Sequence, residues 1–411
     1  MIRRLVLIFF LGLIYTSSPI RASEPKASID YSGMEYFFEI AHLFRQDQEP
    51  PGQLWKALFH TPAYQCAIET EFSKKFFKRY YRLAFKPSEK DKLARELKKE
   101  GFYISYLEHM VHLNDRLDSL ESWMEQFRRE EVLFSKALLR TTCYLPEEAT
   151  GRYPGPEVGF LIFGPDGRGY ETILIDLYFL SQNMSFAEAF LAHEFHHHYE
   201  SFYSVVNPGD NDLLWFYDQV YKEGLADQID KREHFFGNGS MSQTAWAEKY
   251  RRLVGRSPGI IDSINHLLTE MAGNSSLYDE NAGKIKELVP MSGHVIGYYM
   301  ADVMLAHGGK AYLLEDFGNP FGFFRRYNQA ARHSSKNHPV FSRESMKILH
   351  ALEKEHELDT SRRHFFVSPF SLMDPLLEQS PVISSALISS STSAPLDASI
   401  SISPASILES E

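Results

Sequence analysis

The sequence predicts an α+β protein that is mostly helical, with a small antiparallel sheet or hairpin placed just before one histidine-rich helix. Three observations predict it. Apolar residues recur at every third or fourth place over most of the chain. Two short β-prone runs, Gly159–Phe163 and Thr172–Phe179, flank the turn chemistry of Pro165-Asp166-Gly167. At both ends the texture changes to something neither helical nor strand-like.

Residues 1–22 read as a secretory signal. Arg3 and Arg4 make a charged start, and Leu5–Tyr15 is an apolar run of 11 residues. Spanning a bilayer as a helix takes about 20 residues, so this run is too short to do so comfortably. Ile20-Arg21-Ala22 offers an imperfect cleavage site, and an uncleaved anchor is the alternative. No other stretch is apolar and long enough to span, so the expected product is exported, periplasmic or secreted, without a stable membrane span.

From residue 23 to 150 the pattern is helical. Met34, Phe37, Phe38, Ile40, Ala41 and Phe44 share one face, and Pro50-Pro51-Gly52 ends that helix. Ser88 to Glu100 reads as a solvated helix, and Tyr103–Leu139 as further amphipathic segments. The β-prone runs open a region from 151 to 360 in which helices resume at Ser185. From 361 to 411 the chain becomes Ser-rich with weak periodicity, the composition of a disordered tail.

Composition excludes several functions. Hydrophobic residues at 44% and charged residues at 24% rule out global disorder. The formal charge of −11 becomes −14 when residues 1–22 are removed, because three arginines and no acid are lost. That balance argues against nucleic acid as a partner, since phosphate binding needs clustered Lys and Arg. Two cysteines, Cys66 and Cys143, cannot build a thiolate zinc site, and a single disulfide and two thiols remain open.

The chemistry concentrates in Ser185-Phe-Ala-Glu-Ala-Phe-Leu-Ala-His-Glu-Phe-His-His-His-Tyr199. Ser185 and Glu188 match a capping box. Phe186, Phe190, His193 and His197 fall on one helical stripe. Two imidazoles four residues apart on one face can chelate a single metal, and Glu194 stands beside the first as a base. His196 is close enough in angle to compete or to touch substrate, whereas His198 points away. A catalytic zinc needs a third protein ligand. Glu223, on a helix running from Asn211 or Asp212 to about Glu233, supplies it. Asp227, one turn later, can fix the tautomer of a ligating histidine. Gly224 permits close approach of another helix. After Pro290 a further helix carries His294 and Tyr298 on one face, with Gly297 between them; His294 is the first and Tyr298 the second candidate donor to a developing oxyanion.

This constellation resembles the gluzincin zinc peptidases, which share the His-Glu-x-x-His helix and a glutamate ligand on a later helix. More specifically it resembles a bacterial family known only as proposed zinc-dependent peptidases, over about residues 35–355. The resemblance implies His193, His197 and Glu223 as ligands of one Zn2+ per chain, Glu194 as general base, Asp227 behind the ligands, and a peptide or protein as substrate. It also implies an edge strand for extended peptide, for which Thr172–Phe179 is the candidate. The spacing of 25 residues between His197 and Glu223 exceeds that of the best-known gluzincins. Two rivals stand beside this reading: a non-enzymatic zinc binder using the His193–His198 cluster, and an interaction protein whose Ser-rich tail makes the contacts.

Overall fold

The computed structural model describes residues 26–363 apart from 100, 102 and 148. The expected signal and all but the first three residues of the expected tail lie outside the described residues.

The described residues form a mostly helical α+β fold. The first nine helices are α1 (Ser32–Arg45), α2 (Gly52–Leu58), α3 (Pro62–Thr70), α4 (Lys74–Phe85), α5 (Lys90–Glu96), α6 (Ile104–Asn114), α7 (Leu117–Phe127), α8 (Glu131–Thr142) and α9 (Ala149–Arg152). In α1 the six apolar residues named above are all buried, and Pro51 stands at the start of α2. The charged α5 buries no residue, as its solvated pattern predicts. Aromatic rings bind the layer together. Phe37 meets Tyr81 edge-on at 5.0 Å, and Tyr64 and Tyr81 share a hydrogen bond of 2.7 Å. Tyr81 in turn donates to the Ile162 carbonyl at 2.6 Å, tying these helices to the sheet.

That sheet corrects the expected hairpin. Its strands are β1 (Ser28–Asp30), β2 (Glu157–Leu161), β3 (Gly167–Gly169) and β4 (Thr172–Asp176), in the order β1-β2-β4-β3. β2 and β4 are parallel, not antiparallel, and only β3 runs antiparallel to β4. The physical reason is visible in the side chains. Val158 to Leu161 and Ile173 to Asp176 are buried without alternation, which suits strands covered on both faces. The turn residues carry the chain across β4 so that β3 becomes the edge. β4 also ends at Asp176 rather than Phe179. One Asp176 oxygen accepts from the amides of Phe163 and Gly164, and the other caps α10 (Leu177–Gln182) through Phe179 N at 2.8 Å.

The remaining helices are α11 (Met184–Ser201), α12 (Asp212–His234), α13 (Ala245–Gly273), α14 (Tyr278–Leu288), α15 (His294–Leu314), α16 (Pro320–His333) and α17 (Arg343–Arg363). The expected capping box at the start of α11 is not formed: no side chain caps it, and Glu188 turns to Arg140 at 3.5 Å. α12 does start where predicted, with Asn211 Oδ1 accepting from Leu213 N and Leu214 N. No described helix is long and apolar enough to cross a membrane. Cys66 and Cys143 are free, and Cys143 is exposed.

Two hydrophobic cores organise the chain. One joins α1–α4 and α6–α8 to the sheet, α10 and α11, and takes in Ile229 of α12, Tyr250 of α13 and Val295 and Tyr298 of α15. The other is built from α12 to α17. They meet where α11 lies beside α12 and α15.

Candidate metal centre

α12 and α15 cross at two glycines. A Cβ on Gly297 would lie 2.2 Å from the Val220 carbonyl, and one on Gly224 would lie 2.7 Å from Gly297 backbone. The missing side chains let the axes approach, and so carry His294 against the carboxylates of α12. Met291, Ser292 and Gly293 precede His294 with φ of 51°, 49° and 101°. Two non-glycine residues in the left-handed region mark a locally strained turn, and both line the cavity above the site.

On the opposite wall α11 presents His193 and His197. Their Nε2 atoms lie 3.1 Å apart, and each is 3.4 Å from Glu223 Oε2. Four ligands held tetrahedrally around zinc at ~2.0–2.1 Å lie about 3.3–3.4 Å from one another. The three atoms thus have the spacing of three corners of a zinc polyhedron. Glu223 Oε2 is buried with no hydrogen-bond partner among the described residues, the state expected of an oxygen reserved for a cation. His193 Nδ1 donates to Asp230 Oδ1 at 3.3 Å, which leaves its Nε2 lone pair to face the centre. The residues present therefore fit a zinc ion.

A second grouping overlaps the first. One atom each of His193, Glu223, Asp227 and His294 lie within 4.8 Å of one another. It draws on Nδ1 of His294, 3.1 Å from both Glu223 Oε2 and Asp227 Oδ1. The tighter set with His197 is the better metal cradle, because Asp227 is already engaged. Tyr250 donates to Asp227 Oδ2 at 2.5 Å, His294 Nδ1 bonds to the same carboxylate, and Lys231 Nζ lies 3.3 Å from Oδ1. Lys231 also pairs with Asp230. Asp227 thus holds His294 more closely than His193, whose ring nitrogen is 3.5 Å from it.

The electrostatics divide the acids. Burial raises the Glu194 carboxyl above its ordinary range even though His193 and His197 oppose the shift. Burial also works against ionised Glu223, but the adjacent His294 and His197 outweigh it and hold the carboxyl well below the usual range. Glu194 makes no hydrogen bond or ion pair with any described residue. Its carboxylate lies over β3, where a Cβ on Gly167 would come within 3.0 Å of Oε1. A buried, raised, unpaired carboxyl beside the histidine pair is suited to move a proton.

The structure does not bring every candidate to the centre. Tyr298 stacks on Phe236 at 4.5 Å and does not line the cavity; its backbone carbonyl accepts from Gln228. His196 is fully buried, with Nε2 donating to the Tyr144 carbonyl, so it neither competes nor reaches substrate. His198 Nε2 donates to the Pro154 carbonyl, away from the pair as predicted. The edge strand on the cavity is β3, not Thr172–Phe179, whose first five residues are the interior strand β4. Sequence reasoning missed Asp230, Lys231, Tyr250 and Gly167. Asp230 was within reach of pattern analysis, since it lies seven residues after Glu223 on the same helical stripe.

A cavity of about 580 Å³ covers the site, walled by β3, α11, α12 and the turn before His294. No curated protein and no solved structure matches the chain. The family described as "Putative zinc dependent peptidase (DUF5700)" matches residues 55–336, a span that holds β2–β4 and every residue of the centre. With well over half of its length matched, the chain belongs to this family.

Proposed function

We propose that the protein is an exported zinc-dependent peptidase, with His193, His197 and Glu223 holding one zinc per chain and Glu194 as general base. The observation that carries the reading is the triangle of two Nε2 atoms and Glu223 Oε2 at 3.1, 3.4 and 3.4 Å, the oxygen being buried without a hydrogen bond among the described residues and with His294 Nδ1 as its other close neighbour at 3.1 Å. A bound zinc supplies a Lewis acid that makes water acidic enough to attack at neutral pH. Glu194 takes the proton released and delivers it to the leaving amine, a task that favours its raised carboxyl. His294, steadied by Asp227, faces the cavity wall and donates to the scissile carbonyl oxygen as charge builds there. Asp230 holds the His193 ring in the tautomer that turns Nε2 inward. As the edge strand on the cavity, β3 is where an extended peptide would dock, although the Gly167 amide and carbonyl are already bonded to the Asp166 and Arg168 side chains, and Gly167 and Gly169 keep that edge close to Glu194 and His197. Export is supported by the charged start and short apolar run of residues 1–22.

Metal analysis of purified protein, paired with a peptide-library digest, tests this. Wild type should carry one zinc and cleave peptides. Glu223→Ala should lose most zinc affinity. A variant that kept full zinc binding would favour a chelating histidine cluster and overturn the three-ligand assignment.

A further inference from the structure

Beyond the metal centre, a second set of buried charges that the hydrolytic step does not use reaches the cavity wall through Glu200 and Lys222, with Asp218 behind Lys222. Glu200 lies one turn after His197 on α11 and is 1% exposed, yet it contributes to the cavity wall. Lys222, immediately before Glu223, lies 3.8 Å from Glu200 Oε2 and 2.9 Å from Asp218 Oδ2. Asp218 is 2% exposed. The two carboxylates offer four acceptor oxygens, and the one ammonium beside them has three N–H donors. Glu200 Oε1 and Asp218 Oδ1 are buried with no hydrogen-bond partner among the described residues. A buried carboxylate oxygen without a donor is costly, and burial, only partly offset by Lys222, pushes the Glu200 carboxyl up to about 7. The opposite end of the cavity differs: Phe179, Phe190 and Trp246 line it.

We propose that Glu200, seconded by Asp218, forms a subsite for a cationic side chain of the peptide substrate, lysine or arginine. An ammonium or guanidinium entering the cavity brings a donor that Glu200 Oε1 lacks, and its charge favours the ionised carboxylate that burial opposes. At the aromatic end the carboxylates are Glu194, which the proposed hydrolytic step uses, and Asp166, which is paired with Arg168. Selectivity is therefore expected at the substrate position that lies over the α11 side of the cleft. The inference rests on the peptidase reading, which names the residues on either side of that position.

The test is a peptide series in which each position in turn is lysine, norleucine or glutamate, digested by the zinc-loaded full chain. Wild type should prefer lysine to norleucine at one position by about 10- to 100-fold in kcat/KM, the range for a hydrogen bond to a charged group. In Glu200→Gln the ratio should fall towards one, and Glu200→Asp should restore part of it, with zinc content measured in each. A ratio near one in wild type overturns the subsite. A preference for glutamate overturns it too, and assigns recognition to Lys222. An equal loss for all peptides with lowered zinc content would make Glu200 a support of His197 instead. If wild type cleaves nothing, the peptidase reading fails by itself. The subsite is then read separately, as tighter binding of lysine than norleucine peptides to zinc-loaded Glu194→Gln protein.

Discussion

The two walls of the site are built on different physics. The α11 wall belongs to the aromatic core of the N-terminal helices and the sheet, and it presents imidazoles and two carboxyls, Glu194 and Glu200. The α12–α15 wall packs mainly on the all-helical core, with Ile229, Tyr250, Val295 and Tyr298 joining the first, and presents a network of buried charge: Glu223, Asp227, Asp230, Lys231 and His294, closed by the Tyr250 hydroxyl. Behind the first wall one imidazole is buried uncharged, His196 on the Tyr144 carbonyl. The second keeps its charges because each has a partner. Groups that must move a proton are left unpaired, and groups that must stay put are paired.

The largest effect separates the walls by chemistry. Glu194→Gln, on the first wall, should lower hydrolysis by about 10²- to 10⁴-fold while zinc stays bound, because the change removes a proton carrier and no ligand. Zinc analysis beside turnover checks it, and full activity in the variant would break the assignment. Asp230→Asn, on the second wall, should act in the opposite sense. It loosens the His193 ring and should weaken zinc affinity by about 10- to 100-fold. A chelator competition reads this directly, and unchanged affinity would show that His193 needs no anchor.

The third test is pH. Burial, with the nearby His197 and His193 adding to it, lowers the His196 pKa from 6.5 to about 3. Between those values the unfolded chain binds a proton that the folded chain refuses. The contribution is complete above pH 6.5 and is lost as pH falls towards 3. From pH 6.5 to 5 the loss should be about 2 kcal/mol, at ~1.4 kcal/mol per unit. Urea midpoints of metal-free protein at the two pH values check it, with His196→Gln expected to show the shallower slope. Equal slopes would mean that the protein around His196 admits the proton.

The sequence made the first wall legible and the second only partly so. His193 and His197 sit four residues apart, so one helical repeat predicts their shared face, and Glu194 follows the first of them. Glu223 and His294 needed a ligand rule and a helix-packing argument, and the Gly224–Gly297 crossing bears out the packing part. Tyr250, on α13, reaches Asp227 across tertiary packing that no local period encodes. The sheet was misread for a related reason. The turn Pro165-Asp166-Gly167 is local and real, but which strand it places at the edge depends on burial of β2 and β4 on both faces.

The smallest prediction concerns how each wall's helix begins. Ser185 and Glu188 have the letters of a capping box, yet α11 starts at Met184, so Ser185 already lies inside the first turn and its hydroxyl cannot serve as the cap. Asn211 stands outside α12 and accepts from two of its first amides, at 3.0 and 2.9 Å. Ser185→Ala should therefore change stability by less than about 0.5 kcal/mol, as at an ordinary exposed site. Asn211→Ala should cost about 0.5–2 kcal/mol. Chemical denaturation of the two variants side by side measures the difference. Equal costs would put the start of α11 at Ser185 after all, and would rotate the reasoning for His193 back to the sequence pattern alone. A larger cost at Asn211 would instead tie the helix that carries Glu223 to its cap, and leave α11 held by the aromatic core it is buried in.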